Sequence, residues 1–292
     1  MTFNDDARID TSKVQRRRGG KTAAIGGGTL LGVIVLALAS QLLGGDLTPL
    51  TGLVTGGGSS AQEQTVAFDE CETGADANQN DECRMAGAAD SLDVFWEDQF
   101  SSGYRAPGVI LYQGTTTSAC GQASAAIGPF YCPADESIYL DTEFFAELRS
   151  QFGATGGSLA QMYVLAHEWG HHISNITGQL GQVGNETGAD SGSVRLELQA
   201  DCYAGAWVQA ASSTTSSSGV SFLRPVTQEE LADAMNAASV IGDDAIQEKA
   251  GQTVNPDSFS HGSSEQRQRW FQTGYQSGAT ACDTFSVTAS DL

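Results

Sequence analysis

Apolar residues recur at helical spacing in the middle of the chain. Between Ser158, a residue type that caps helix N-termini, and Gly178, which can end a helix, most apolar side chains fall three or four positions apart. These side chains are Leu159, Met162, Val164, Leu165, Trp169 and Ile173. Residues 193–205 combine leucine and aromatic positions in a similar way. The pattern predicts two helices.

Other apolar runs predict a small sheet ahead of these helices. Two short runs are typical of strands, at residues 109–113 and 137–140. Helical spacing marks two further segments, residues 90–104 and 142–152. Strands that precede a central helix, with mostly helices after it, predict an α+β fold.

Capping boxes, in which Ser or Thr precedes Glu or Gln by three positions, mark the starts of two later helices. Thr227 with Glu230 predicts a helix that extends toward Lys249. Ser263 with Gln266 predicts the last helix. Neither segment repeats an earlier one, so the chain from residue 66 onward is expected to form one domain.

Residues 22–45 form a run of 24 uncharged residues centred on the apolar segment 30–36, and about 20 apolar residues suffice to cross a bilayer. Four basic residues lie just before it, at positions 16, 17, 18 and 21. The positive-inside tendency therefore predicts a single-pass protein of the cell membrane with a cytoplasmic N-terminus and an extracytoplasmic domain. The expected order is a basic tail over residues 1–21, a transmembrane anchor over 22–43, a Gly/Ser/Thr-rich flexible linker over 44–65 and a domain over 66–292.

Removal of the apolar stretch by a signal peptidase is an alternative, because residues 37–39 read Ala-Leu-Ala. We favour an uncleaved anchor, since apolar residues continue through Leu42 and Leu43. Either outcome exports the domain that follows.

All six cysteines follow the apolar stretch, and an even set in an exported chain predicts disulfides. Neighbours along the sequence suggest the pairs Cys71–Cys83 and Cys120–Cys132, which leaves Cys202 to join the second helix to Cys282. Reduced cysteines are the alternative. No Cys-x-x-Cys pair is present, so a zinc site made of cysteines is not expected.

Charge is divided unevenly along the chain. Residues 1–21 have a net charge of +3, whereas residues 22–292 have a net charge of −24. A strongly acidic domain argues against nucleic acid or an anionic lipid surface as a partner. A solvated, acidic surface is the expected consequence.

The first predicted helix carries the motif His167-Glu168-Trp169-Gly170-His171. Histidines four positions apart on a helix point the same way, so both can reach one zinc ion, and Glu168 beside them is placed to act as general base. The pattern predicts a zinc hydrolase; its alternative is a buried amphipathic helix whose polar residues satisfy one another. His172 lies about 100° further round the helix, so we expect it behind the ligands or at the surface.

A catalytic zinc ion usually has three protein ligands and one open position. Glu197 on the second helix is the expected third ligand, and Asp201, one turn later, is expected to accept a hydrogen bond from a ligating imidazole. The reverse assignment, with Asp201 as ligand, is the alternative. Ser174 and Thr177 stand where a different zinc-peptidase layout needs Gly and His, so that layout is excluded.

These features resemble the bacterial "putative neutral zinc metallopeptidase" family of the YpfJ type. The stretches that carry the resemblance are residues 128–133, 139–141, 167–172, 197–205, 261–264, 266–267 and 270–271. The resemblance implies a zincin-like fold, one catalytic Zn²⁺ and peptidase activity of the gluzincin kind. It also suggests that the strand around Tyr139 is the sheet edge that binds an extended substrate.

His261 is the last of four histidines, and the other three lie on the zinc helix. We predict that it donates a hydrogen bond to the oxyanion of the reaction. The alternative is a histidine that merely precedes the cap of the final helix, and Tyr203 and Tyr275 are competing donors.

The expected activity is hydrolysis of peptide bonds in a peptide or protein substrate, by a zinc-activated water with Glu168 as general base. One competing function is a cell-envelope binding module with a non-catalytic zinc site, although such a module has no use for Glu168. Another is zinc-dependent hydrolysis of a non-peptide amide.

Overall fold

The computed structural model describes residues 2–18, 64–124, 127–146 and 156–292. The strands are β1 (Val14–Arg18), β2 (Gln64–Val66), β3 (Gly108–Gln113), β4 (Thr115–Ser118), β5 (Gly121–Ser124), β6 (Phe130–Cys132) and β7 (Ser137–Asp141). The α-helices are α1 (Gly74–Gln79), α2 (Asp81–Gln99), α3 (Ser158–Ile176), α4 (Gly192–Ala210), α5 (Gln228–Val240), α6 (Asp243–Lys249) and α7 (Ser264–Ser277). The α+β class expected from the sequence agrees with this architecture.

Five of these strands form one mixed sheet in the order β2-β1-β3-β7-β6. The three inner strands β1, β3 and β7 are parallel, with Val14 opposite Val109 and Val109 opposite Ile138. Strands β2 and β6 are antiparallel to their neighbours and lie at the two edges of the sheet that the described residues form. β4 and β5 form a separate hairpin.

Both faces of this sheet are covered, which explains why the inner strands β3 and β7 read as continuous apolar runs. Leu111 and Leu140 point toward the helices and belong to the main core, together with residues of α3. Tyr112 and Tyr139 face the other way and pack in a smaller cluster that includes Ala123 of the β4–β5 hairpin.

The helices pack on one another behind the sheet, with α3 in contact with α2, α4 and α5. Helices α4 and α7 approach unusually closely. A Cβ atom added to Gly274 of α7 would lie 1.8 Å from the carbonyl oxygen of Cys202, and one added to Gly205 of α4 would lie 2.0 Å from that of Phe271. Only glycine allows this approach at both positions.

The N-terminal segment is part of the same domain. Phe3 is 1% exposed, and β1 lies between β2 and β3 in the sheet. Arg16 of β1 is buried, where it forms ion pairs with Glu70 and Glu82 at 2.5 and 2.6 Å and stacks on Phe68. Arg16, one of the basic residues read as a topology signal, thus serves packing instead.

The single-pass membrane placement expected from the sequence is wrong. The anchor at 22–43 and nearly all of the linker at 44–65 lie outside the described residues, and within the described part of the chain no helix has the length and apolar character needed to span a bilayer. The predicted topology also put β1 on the cytoplasmic side and β3 on the outer side, whereas these two strands are hydrogen-bonded to each other. The predicted membrane partner, transmembrane helix, cytoplasmic tail and extracytoplasmic placement are therefore withdrawn.

Several element boundaries differ from expectation. α2 begins at Asp81 rather than residue 90, because Asn80 accepts hydrogen bonds from the amides of Glu82 and Cys83 and caps the helix earlier. The helix expected from Thr227 to Lys249 is broken into α5 and α6 around Gly242. The predicted helix at 142–152 lies largely outside the described residues.

The strand around Tyr139 is not an edge. β7 pairs with β3 on one side and with β6 on the other, so β6, which the sequence pattern did not reveal, occupies the edge position. A strand of three residues is too short to leave a recognisable pattern.

The three predicted disulfides are confirmed: Cys71–Cys83, Cys120–Cys132 and Cys202–Cys282. The second joins the β4–β5 hairpin region to the edge strand β6. The third joins α4 to the segment that follows α7.

Candidate metal centre

Helices α3 and α4 bring three of the predicted ligands together. His167 Nε2 lies 3.2 Å from Glu197 Oε2, and His171 Nε2 lies 3.4 Å from Glu197 Oε1. One ligand atom from each of the three side chains lies within 4.8 Å of the others. This set is the one cluster of such residues found within the described ranges.

A close helix crossing makes this possible. Gly170 lies between the two histidines, and a Cβ atom added there would be 2.7 Å from Cα of Ala200 in α4. The backbones can touch only because the residue at this position lacks a side chain. Glu197 lies one turn before Ala200, so the crossing brings its carboxylate to the imidazoles.

The spacing of these atoms fits a zinc ion. Zinc binds imidazole nitrogen and carboxylate oxygen at about 2.0–2.2 Å in tetrahedral geometry, which puts neighbouring ligand atoms about 3.3 Å apart. The two nitrogen–oxygen separations of 3.2 and 3.4 Å bracket this value. Two imidazoles and one carboxylate are also the donor set of many catalytic zinc sites, with a fourth position left open.

Asp201 lies behind His167, on the side away from the ligand atoms. Its Oδ1 is 2.8 Å from His167 Nδ1, and it also accepts a hydrogen bond from the Tyr163 hydroxyl. Arg267 of α7 forms a bidentate pair with the same carboxylate, with Nε–Oδ2 at 2.8 Å and a terminal nitrogen–Oδ1 at 3.0 Å. All four side chains are buried.

Charge within this group follows from burial and pairing. Burial alone would raise the pKa of Asp201, but the positive charges of Arg267 and His167 outweigh it and lower the pKa below its usual value. Burial likewise disfavours a charged His167, yet Asp201 and Glu197 raise its pKa to about 10. A site with this excess of carboxylates attracts a cation, and bound metal competes with that proton because a ligating imidazole is neutral.

Glu168 faces a cavity of about 600 Å³ together with the three candidate ligands. It is 8% exposed, and burial raises the pKa of its carboxyl group, partly opposed by His171 and His167. Much of the cavity wall is apolar, including Ile127, Phe130, Val164, Leu180, Val183 and Ile241.

His261 also lines this cavity, and its side chain is 46% exposed. Asp243, the first residue of α6, holds it in place. One oxygen of Asp243 accepts hydrogen bonds from the backbone amides of Ser260, His261 and Gly262 at 2.7, 2.7 and 3.0 Å, and the other lies 3.2 Å from His261 Nδ1. Burial alone lowers the pKa of His261, but Asp243 and Glu197 raise it on balance.

His172 lies away from the ligands, as the helical spacing predicts. It is fully buried, with Nε2 2.7 Å from the carbonyl oxygen of Arg105 and Nδ1 3.0 Å from the Tyr131 hydroxyl. Burial lowers the pKa of its imidazole. Of the competing donors, neither Tyr203 nor Tyr275 belongs to the described residues that line the cavity.

Sequence reasoning assigned no role in the site to Tyr163, which lies on the motif helix itself, or to Arg267 and Asp243, which come from distant segments. Arg267 and Tyr163 surround Asp201, and Asp243 holds His261, yet none of the three belongs to the zinc motif. Arg267 offered a signal, because it is a charged residue three positions before the apolar pair Trp270 and Phe271 on the last helix. A charge on the buried face of a helix indicates a buried partner.

The fold and the cluster define an α+β protein with a His-His-Glu cluster that could hold a metal ion. The chain belongs to the family described as "putative neutral zinc metallopeptidase", whose model matches residues 3–285. Membership confirms the resemblance drawn from the motifs.

Relatives from two bacterial groups extend over most of the chain. The "Uncharacterized protein Rv2575" of Mycobacterium tuberculosis and the "Uncharacterized protein Mb2605" of Mycobacterium bovis are each 44% identical over 304 aligned positions, which cover all of both chains. The "Uncharacterized protein YpfJ" of Escherichia coli K12 is 38% identical over 269 positions, which cover 89% of this chain and 86% of the relative. No solved structure matches the chain.

Proposed function

We propose that this chain is a zinc-dependent peptidase that hydrolyses peptide bonds with Glu168 as general base. The observation that carries the proposal is the placement of Glu168 on the same cavity as three ligand atoms spaced for one zinc ion. Membership of a family described as zinc metallopeptidases supports it. A purely structural zinc site needs ligands but no carboxylate beside an open position.

His167, His171 and Glu197 would hold the ion. Zinc bound there supplies Lewis acidity, which polarises a carbonyl group and lowers the pKa of a water molecule to about 7. Asp201 accepts a hydrogen bond from the Nδ1–H of His167, which fixes the tautomer that leaves Nε2 free to ligate. The His167 imidazole is therefore already oriented for metal binding before the ion binds.

Glu168 moves the proton in this scheme. It accepts a proton from the attacking water and passes it to the nitrogen of the leaving amine. A buried carboxyl group with a raised pKa suits the transfer to the amine, because Glu168 then stays protonated after the attack of water and can donate to the leaving nitrogen.

His261 is the best-placed donor for the negative charge that develops on the carbonyl oxygen. It lines the cavity, and Asp243 accepts from its Nδ1, so its Nε2 is the nitrogen left for the substrate. The position of Tyr203 and Tyr275 away from the cavity favours His261 over either tyrosine.

The edge strand β6 is a candidate for binding the substrate backbone. Phe130 and Tyr131 of this strand line the cavity, and an edge strand presents unpaired amide and carbonyl groups to an extended peptide. Addition of the peptide as a further strand would position its carbonyl groups along the metal helix.

The substitution Glu168→Gln tests the proposal. We expect the variant to bind one zinc ion per chain, as the wild type does, and to lose at least about 100-fold in turnover of a mixed peptide pool, since it lacks a base. Glu229→Gln, an exposed residue on α5, is the matched control and should retain activity. Equal turnover by Glu168→Gln and wild type would refute the mechanism, and zinc binding without any peptide cleavage by the wild type would favour a binding module.

A further inference from the structure

We propose that His172 is a positioning residue: it fixes the edge strand β6 against the helix of metal ligands and so aligns extended peptides in the cavity. This inference rests on the proposed peptidase function. It concerns a residue next to the ligand His171 that does not belong to the ligand set and faces another part of the molecule.

The hydrogen bonds of His172 define its role. Nε2 lies 2.7 Å from the carbonyl oxygen of Arg105, which can only accept, so Nε2 carries the proton. In the neutral ring Nδ1 is then an acceptor, and the Tyr131 hydroxyl, 3.0 Å away, must donate to it. His172 therefore joins two segments through one ring.

The hydroxyl group of Tyr131 has both a hydrogen-bond acceptor and a donor in this arrangement. Its hydroxyl donates to His172 and accepts a hydrogen bond of 2.9 Å from the side-chain amide of Asn175, one turn further along α3. Because the only phenolic proton is used, Tyr131 has no proton to donate to a substrate. It contributes to the cavity as a wall that is held by two residues of the metal helix.

A second connection passes through Arg105. While its carbonyl group accepts from His172, its guanidinium group forms a two-pronged pair with Glu136, with Nε–Oε2 at 2.6 Å. Glu136 lies in the turn between β6 and β7 and has a φ of +51°, a left-handed conformation that is uncommon outside glycine. Both the strand and its turn are thus linked to His172.

The consequence is a fixed distance between two parts of the site. His171 and His172 are adjacent on one helical turn, so the same turn of α3 bears a metal ligand and the link to β6. A peptide that pairs with β6 inherits its alignment to the metal from this link. Loss of the link should therefore affect substrates that reach β6 more than those that do not.

The test compares two peptides with the same scissile bond, a blocked dipeptide and an eight-residue peptide. Tyr131→Phe keeps the ring and removes only the hydroxyl group, and His172→Leu removes the whole link. Both variants should raise KM for the long peptide about tenfold more than KM for the dipeptide, with zinc content equal to the wild type. His172→Gln, which can still donate to Arg105, should restore part of the difference.

Tyr139→Phe is the matched control, because it removes the hydroxyl group of a neighbouring tyrosine whose partner is Asp135 rather than α3. It should change KM for the two peptides by the same factor. The inference is overturned if Tyr131→Phe or His172→Leu affects both peptides equally, or if these variants lose zinc and stability without a length-dependent KM. Failure of the wild type to cleave either peptide would instead contradict the proposed function.

Discussion

His167 Nδ1 lies 2.8 Å from Asp201 Oδ1, and this contact joins the proposed metal ligand His167 to a buried ion pair. Asp201 is shared among His167, Tyr163 and Arg267, which come from α3 and α7. The orientation of one imidazole therefore depends on the packing of three helices. Metal binding and folding stability should be coupled at this carboxylate.

Replacement of Asp201 by asparagine should weaken both properties. We expect a 10–100-fold loss of zinc affinity, because His167 loses a charged hydrogen-bond acceptor. We also expect the free energy of unfolding to fall by about 3–5 kcal/mol, because Arg267 is left buried without its counter-ion. Chelator competition measures the first and chemical denaturation the second. Asp190→Asn, on the exposed loop before α4, is the control and should change neither quantity. If Asp201→Asn also left zinc affinity and the free energy of unfolding unchanged, the proposed coupling at Asp201 would be wrong.

Activity should depend on the protonation of His261. Its Nδ1 donates to Asp243, so in the neutral ring Nε2 carries no proton and only the imidazolium form can donate to an oxyanion. Because the pKa of His261 is raised, activity should persist above its ordinary value and fall as the pH rises through the raised one.

The variant His261→Gln should lower kcat about 100-fold or more and abolish this alkaline decline, while zinc content stays constant. The pH profile of kcat/KM for the wild type and the variant measures both effects. If activity of the variant still declined at the same alkaline pH, the decline would come from a titrating group other than His261.

The N-terminal segment should be required for stability. Phe3 is 1% exposed and its ring fills the space left by Gly87 of α2, so Phe3→Ala should cost about 3–5 kcal/mol in the free energy of unfolding. Arg8→Ala, in the same segment but largely exposed, should cost much less. Denaturant titration of the two variants compares them, and equal stability would show that the segment does not pack on the domain in solution.

Asp90 of α2 should make the domain more stable in mild acid. Burial, together with the charges of Asp10 and Asp93, raises the pKa of Asp90 to about 6, so the folded protein holds a proton that the unfolded chain releases between about pH 4 and pH 6. The contribution of this group to stability is therefore present at low pH and is lost as the pH rises through 6.

Asp90→Asn should accordingly be more stable than the wild type by roughly 1–3 kcal/mol at pH 7, with the difference closing toward pH 4. Denaturation of both proteins without metal across this range provides the measurement. Asp98→Asn, exposed on the same helix, should show no such convergence. A constant difference at all pH values would mean that Asp90 does not titrate as described.

The part of the site that lies within single helices could be predicted from the sequence. His167 and His171, like Glu197 and Asp201, are four positions apart, and helical periodicity alone places each pair on one face. Two of the disulfides could be predicted for a similar reason, because each joins cysteines only 12 positions apart, whereas Cys202–Cys282, 80 positions apart, followed as the remaining pair. Local geometry was sufficient in both cases.

The contributions that depend on tertiary packing could not be predicted in this way. Arg267 reaches Asp201 from a helix 66 positions further along the chain, and no periodic pattern relates the two. The strand β1, with the sequence VQRRR, lacks the alternating apolar residues that indicate a strand, so its arginines were assigned to membrane topology. Its strand conformation comes from pairing with β2 and β3, which only the assembled sheet provides.

The pairing of Val14 with Val109 has a consequence for synthesis of the protein on the ribosome. The two residues are separated by 95 positions, so at about 5–20 residues per second β1 waits roughly 5–20 s before its parallel neighbour has even been made. During that interval the side chains of Phe3 and Val14 have no finished sheet to cover them. Strand β1 therefore leaves the ribosome well before its parallel partner exists, and nascent chains of this protein should depend on chaperones while β1 is unpaired with β3.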